Sequence, residues 1–491
     1  MLEYLILKRY TIRESNPAMP IGNLFDDFLV FVIGRRQPAC CRKRKNLSKI
    51  FAHRCAAVFV CRFSGLQTIF QHAGAWRKNL RQYGRKNATK TIASSTPLWY
   101  TEKWSRFGFG KGFVAVSDFL RRAWAEIDLD AVRANYQWFK NLLSPDCRCM
   151  AVVKANAYGH GATRVATELK GADFFGVSNL DEALELRQNG ITAPILIFAY
   201  TPPEEAQTLA AHNISQAVLD SQYADALEQA AAAADVTVSV HIKLDTGMSR
   251  VGFFCQDETV SPIDAIIRAC SLPHLRADGV FTHFAVADDP NSDAVTRLQF
   301  KRFTDTLDTL KAHGITFPLR HCCGSAATLR FPEMHLDMVR IGISLYGASA
   351  LSDLSRTVPL RSAMTLKTVI AQVKTVPAGT PVSYGHTFIC TRETTLATLP
   401  IGYADGLPRC ASGEFQVSVN GKLAPNVGRV CMDQCLIDIT DIPQVRVGAP
   451  VVIFGTEELP VETFSLACRT ISYETFCAIS KRVPRVYPKK G

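Results

Sequence analysis

From about residue 120 onward, short apolar runs alternate with longer stretches in which apolar positions recur every three or four residues. The runs fall at Met150–Val153, Phe174–Ser178, Pro194–Ala199, Gln216–Leu219, Val236–Leu244, Gly279–Phe284, Leu319–Cys323 and Met338–Ser344. Between them, Asp181–Asn189, Pro203–His212, Ser221–Ala234 and Ala294–His313 carry helical spacing. Eight strands alternating with helices over roughly 220 residues match the count and length of a (β/α)8 barrel. An open doubly wound sheet competes less well, because no Gly-x-Gly-x-x-Gly follows the first strand.

After residue 355 the texture changes. Short β-rich runs at Thr365–Thr375, Thr394–Leu399, Phe415–Val419 and Val451–Phe454 are punctuated by Gly and Pro, and a helix is expected over Thr470–Lys481. The chain therefore divides into residues 1–117, of low structural content, a barrel over 118–354 and a mainly-β domain over 355–491.

Charge sharpens the first boundary. The formal net charge is +12 over 491 residues. Residues 1–111 hold 21 Lys+Arg and 5 Asp+Glu (+16), leaving 35 and 39 (−4) for the rest. The whole-chain charge thus gives no reason to expect a nucleic-acid partner for the two main domains. The basic segment, with Arg42-Lys43-Arg44-Lys45, reads as a disordered tail, an upstream start, an address or a polyanion-binding segment. Phe28–Gly34 is apolar but follows Asp26 and Asp27, the wrong flank for a signal peptide. No apolar stretch reaches the ~18 residues of a membrane helix. Of 16 cysteines, twelve lie after residue 120, several inside apolar runs, and Cys147-x-Cys149 and Cys431-x3-Cys435 lack the paired spacing of a zinc site. Reduced thiols in a cytoplasmic protein are expected, with no metal.

In such a barrel the reactive groups stand at the C-terminal ends of the strands. The first strand ends in Lys154, where burial can lower the amine's pKa toward the nucleophilic form. A strand-end lysine is by default a salt-bridged rim residue. Other rims add Lys243 and Arg250 after the fifth strand, His283 after the sixth, His321 and Ser325 at the seventh, and Arg340 in the eighth. Polar residues from five strands converge on one rim.

These segments resemble, in order, the alanine racemase family over about residues 122–487. The motifs are Val153-Lys154-Ala155-Asn156-Ala157-Tyr158-Gly159-His160-Gly161, Lys243-Leu244-Asp245-Thr246-Gly247-Met248-Ser249-Arg250 and Arg340-Ile341-Gly342-Ile343. They continue with Val382-Ser383-Tyr384-Gly385-His386, Gly402-Tyr403-Ala404-Asp405-Gly406, Gly428-Arg429-Val430-Cys431-Met432-Asp433 and Ile471-Ser472-Tyr473-Glu474.

The resemblance implies interconversion of L- and D-alanine, supplying D-alanine for peptidoglycan, with pyridoxal 5'-phosphate held as a Schiff base on Lys154. The cofactor carries the electronic demand of the reaction. Lys154 would serve one face of the substrate and Tyr384 the other, with His283 supporting Tyr384. Arg340 would face the pyridine nitrogen, buttressed by His321, and leave the ring a weaker electron sink. Tyr158, Ser325, Gly342, Ile343 and Tyr403 would hold the phosphate, and Arg250 and the Met432 N–H the substrate carboxylate. Lys243, a carbamylation site in many members, and Asp433 would be supporting. Gly324 departs from the asparagine common at its position. Because Lys154 and Tyr384 lie in different domains, each site is expected across a head-to-tail homodimer. A racemase preferring serine or another small amino acid, and a non-catalytic pyridoxal-phosphate carrier, are the alternatives; Tyr384 and its domain argue against the carrier.

Overall fold

The computed structural model describes residues 122–256, 261–352 and 358–488. The expectation for the basic segment 1–117 lies outside these residues. Eight parallel strands form at every run the apolar pattern marks: Arg148–Val152, Phe174–Val177, Ile195–Ile197, Ile214–Val218, Val238–Asp245, Leu275–Phe281, Leu319–His321 and Met338–Ile341. They are called the first to eighth barrel strands below.

The ring closes where the eighth strand pairs with the first, Arg340 opposite Met150. Between the seventh and eighth strands the ladder thins to a bridge from Gly324 to Arg340 and the bond from Arg340 N–H to Cys323 O, 2.9 Å. The sixth strand bulges, since Val240 pairs with Ala277 but His241 with Gly279. That bulge needs the glycine, because a Cβ on Gly279 would stand 2.4 Å from His241 Nδ1. Both faces of the strands are buried: Met150, Leu196, His241 and His321 share one face and Phe175, Ile195, Val240 and Ile242 the other. Helices Leu180–Gln188, Ser221–Ala233 and Asp293–Ala312 surround it.

The second domain is built on a nine-stranded sheet, in which Pro450–Phe454 and Met364–Val369 run side by side and antiparallel. The expected single run over Thr365–Thr375 breaks into Met364–Val369 and Gln372–Val376. The two lie far apart in the strand order. The range expected for the barrel also needs a correction at its start. Ala123–Ile127 pairs antiparallel with Met364–Val369 and parallel with Arg485–Val486, so it is a strand of the second domain. Its burial there comes from a partner 241 residues away, as in the pair Glu126–Lys367. The two domains share one continuous apolar core.

Twelve cysteines among the described residues carry free thiols, Cys410 and Cys477 exposed. Among the described residues no helix is long and apolar enough to cross a membrane.

Candidate active site

The backbone after the first barrel strand does something unusual. Ala155, Asn156, Ala157 and Tyr158 all have φ between 51° and 54°, a left-handed turn of four non-glycine residues, and Gly159 continues it at 81°. Left-handed geometry costs an L-residue about 1–2 kcal/mol, so the turn needs external support. It has plenty. Glu182 accepts the Ala155 N–H at 2.6 Å, and Asn156 Oδ1 accepts the Ala162 N–H at 2.8 Å. Beneath the turn, His160 is fully buried, with Nδ1 3.0 Å from the carbonyls of Ala157 and Tyr158 and its ring stacked 4.4 Å from Tyr346. From the C-terminal end of the described chain, Arg485 Nε donates to Gly159 O (2.8 Å) and the Tyr487 hydroxyl to His160 O (3.0 Å).

The turn delivers two side chains. Lys154 is half-buried, and desolvation, reinforced by Arg250, lowers the pKa of its amine. Tyr158 is buried with its hydroxyl against the eighth strand's exit, where a Cβ on Gly342 would stand 2.8 Å away. Ser325 Oγ accepts the Gly342 N–H at 2.9 Å. Tyr158, Ser325 and Ile343 are thereby brought together as neutral donors around Gly342, a fit for a phosphate dianion.

Arg340 is almost fully buried, and burial lowers its pKa to about 10. One terminal nitrogen donates to His321 Nδ1 (2.9 Å); the other faces Thr282 O (2.9 Å), Cys322 O (2.9 Å) and His283 Nδ1 (3.2 Å). Nε–H and one N–H of the nitrogen facing His321 are the donors left without a hydrogen-bond partner among the described residues. His321 in turn meets His241 Nδ1 through its Nε2 at 2.9 Å. Lys243 lies beside this group with its Nζ on Leu244 O (2.5 Å), and burial next to Arg340 lowers its pKa to about 7. Arg250 is exposed at the rim. Its loop is shaped by Asp245, which accepts the N–H groups of Gly247, Met248 and Ser249 at 3.0–3.1 Å.

The remaining expected residues form a second group on the β domain. Tyr384 sits on a short turn after Ser383, whose φ is 62° and whose hydroxyl donates to Arg429 O at 2.7 Å. Tyr384 is 69% exposed, Met432 53% and Tyr403 42%. Tyr403 N–H donates to Cys431 O (3.0 Å), Ala404 N–H to Met432 O (2.9 Å), and Asp433 pairs with Arg482 (2.7 Å). Among the described residues, no hydrogen bond, ion pair or ring contact joins Tyr384 to Lys154 or His283 within the chain. Nor does Tyr403 reach Tyr158. The rings beside Tyr158 are Tyr346, 5.0 Å between centroids, and Tyr473, 6.0 Å. Tyr473, inside the motif Ile471–Glu474, is a cradle neighbour that the motif alone does not assign.

The donor set and the low-pKa lysine suit pyridoxal phosphate: an amine to bind it, neutral donors for its phosphate and a free arginine N–H for its ring. Fold and site together define a two-domain barrel enzyme centred on a lysine. The alanine racemase N-terminal domain model matches residues 127–350 and the C-terminal domain model residues 363–487. An alanine racemase of Desulfovibrio desulfuricans is 45% identical over 371 residues, 75% of this chain and 99% of that protein. The solved alanine racemase of Clostridium difficile 630 is similar with a TM-score of 0.70 at 38% identity, covering 75% of this chain and 96% of that one. An alanine racemase structure from a D-cycloserine-producing Streptomyces lavendulae gives 0.71 at 40%, covering 76% and 98%. The chain belongs to the alanine racemase family.

Proposed function

We propose that this protein interconverts L- and D-alanine with pyridoxal phosphate held on Lys154, and that its sites form between two copies of the chain. The observation that carries this reading is the split site. A low-pKa lysine with a phosphate cradle lies at the barrel mouth, and a 69% exposed tyrosine lies on the other domain, where a second copy can receive it. When bound, the cofactor supplies an electron sink for the charge left at the substrate Cα.

The chain's residues do the rest. Tyr158, Ser325 and the Ile343 N–H would hold the phosphate beside Gly342, whose own N–H is taken by Ser325 Oγ, with Tyr473 packed near Tyr158. A free N–H of Arg340 would face the ring nitrogen, where its charge would discourage protonation. Lys154 holds or returns the Cα proton on one face, and Tyr384 of a second copy does so on the other. Arg250 and the Met432 N–H orient the substrate carboxylate; His283, His321, Lys243 and Asp433 keep these groups in place. D-alanine made this way would feed peptidoglycan.

Purified protein with added pyridoxal phosphate should racemise L-alanine faster than L-serine when followed by circular dichroism. Faster racemisation of serine would shift the substrate assignment, and no change with either would overturn the activity. Sedimentation should find a dimer; an active monomer would remove the shared site.

A further inference from the structure

Glu182 occupies the third position of the helix Leu180–Gln188, whose N-cap Asn179 accepts the Glu182 N–H on its side chain at 3.0 Å. A glutamate at that position usually reaches back to the backbone of its own N-cap. This one does not. Its Oε1 accepts the Ala155 N–H at 2.6 Å and its Oε2 accepts the Ser178 N–H at 2.7 Å. Ala155 follows Lys154 and opens the left-handed turn; Ser178 follows the second barrel strand. One carboxylate therefore ties the lysine's loop to its neighbour through two charge-assisted bonds.

We propose that Glu182 is a positioning residue for Lys154: by holding Ala155 in the left-handed form it fixes where the amine points. The proposal rests on the cofactor-binding role given to Lys154 above. A carboxylate suits the task because two N–H donors need two acceptor oxygens. Glutamine offers one oxygen and sets an amide N–H against the other donor. Aspartate lacks the length to span both. The charge has a second effect on the same amine. Lys154 is faced by Arg250 and Arg340, which lower its pKa, and by Glu182 and Cys477, which raise it.

The test uses Glu182→Gln in the full chain, with readouts that need no amino acid. Capture of pyridoxal phosphate by the apoprotein, followed by absorbance and located at Lys154 by borohydride trapping and peptide mass, should slow about tenfold or more. Acylation of Lys154 in the apoprotein should show its pH midpoint moved down. Amide exchange should quicken in peptides over 154–160 and not in the barrel strands. A second variant, Glu182→Gln with Ala155→Gly, should recover part of the capture rate, since glycine adopts positive φ freely.

Unchanged capture and local exchange would overturn the proposal. So would exchange rising evenly through the barrel with a lowered unfolding temperature, or no recovery in the double variant. If the wild type captures the cofactor but does not racemise alanine, the activity falls and these readouts still decide the role of Glu182. If it captures no cofactor, acylation and exchange decide it alone.

Discussion

Arg340 donates to His321 Nδ1 at 2.9 Å, and that single bond sets the protonation of two histidines in series. With Nδ1 accepting, His321 carries its proton on Nε2 and gives it to His241 Nδ1, so His241 carries its own on Nε2, an atom with no partner. Both rings must stay neutral for the relay to hold.

A pH dependence follows. Burial lowers His241 to about 4 and His160 to about 3, and it holds His283 and His321 well below the ordinary value. Between about 6.5, where an unfolded histidine titrates, and these lower values the unfolded chain binds more protons than the folded one. Stability is therefore complete above about pH 6.5 and is lost as pH falls, by up to about 1.4 kcal/mol per pH unit per histidine. Urea midpoints at pH 7.5, 6 and 5 should decline in that order. His160→Gln should flatten the slope; a flat profile in the wild type would contradict the buried neutral assignments.

Tyr384→Phe removes one hydroxyl from an exposed ring and should leave folding and cofactor capture unchanged. Racemisation should fall about 100-fold or more, most strongly in one direction. Rates in both directions measured with each enantiomer check this, and equal, unreduced rates would remove Tyr384 from the mechanism.

Lys243, with a pKa of about 7, is mostly neutral at pH 8 and able to add carbon dioxide. A carbamate would turn a cation beside Arg340 and Arg250 into an anion that pairs with them. Protein in 13C-bicarbonate should show a carbamate resonance that disappears in Lys243→Ala. In that variant the KM for alanine should rise more than kcat falls, through the loss of an anion that orients Arg250.

Gly342→Ala should push Tyr158 aside, because the added Cβ would stand 2.8 Å from its hydroxyl. Affinity for pyridoxal phosphate should weaken about tenfold, roughly 1.4 kcal/mol. Titration of the apoprotein reads this directly, and unchanged affinity would take Tyr158 out of the phosphate site.

Much of this was legible along the chain. The eight barrel strands announce themselves because each is an apolar run, and Lys154, Arg340 and Tyr384 sit in motifs with little freedom. What stayed hidden depends on distant partners. Ala123–Ile127 has no local mark of its sheet, since its neighbour begins at Met364. Ala155 to Tyr158 are ordinary residues with no preference for left-handed geometry, and the carboxylate that holds them lies 27 residues on. Tyr473 reached the cradle by domain packing, which no local pattern encodes.

The bond from Arg485 to Gly159 spans 326 residues, and beside it Arg485 pairs with Ala125. The strand Ala123–Ile127 and the lysine-bearing turn are thus finished by residues more than 300 positions further along the chain. The lysine-bearing turn has no such brace until Arg485 and Tyr487 are in place, so the barrel by itself cannot hold its reactive amine in working posture. Docking of Arg485–Val486 beside Ala123–Ile127 is the event that arms the site.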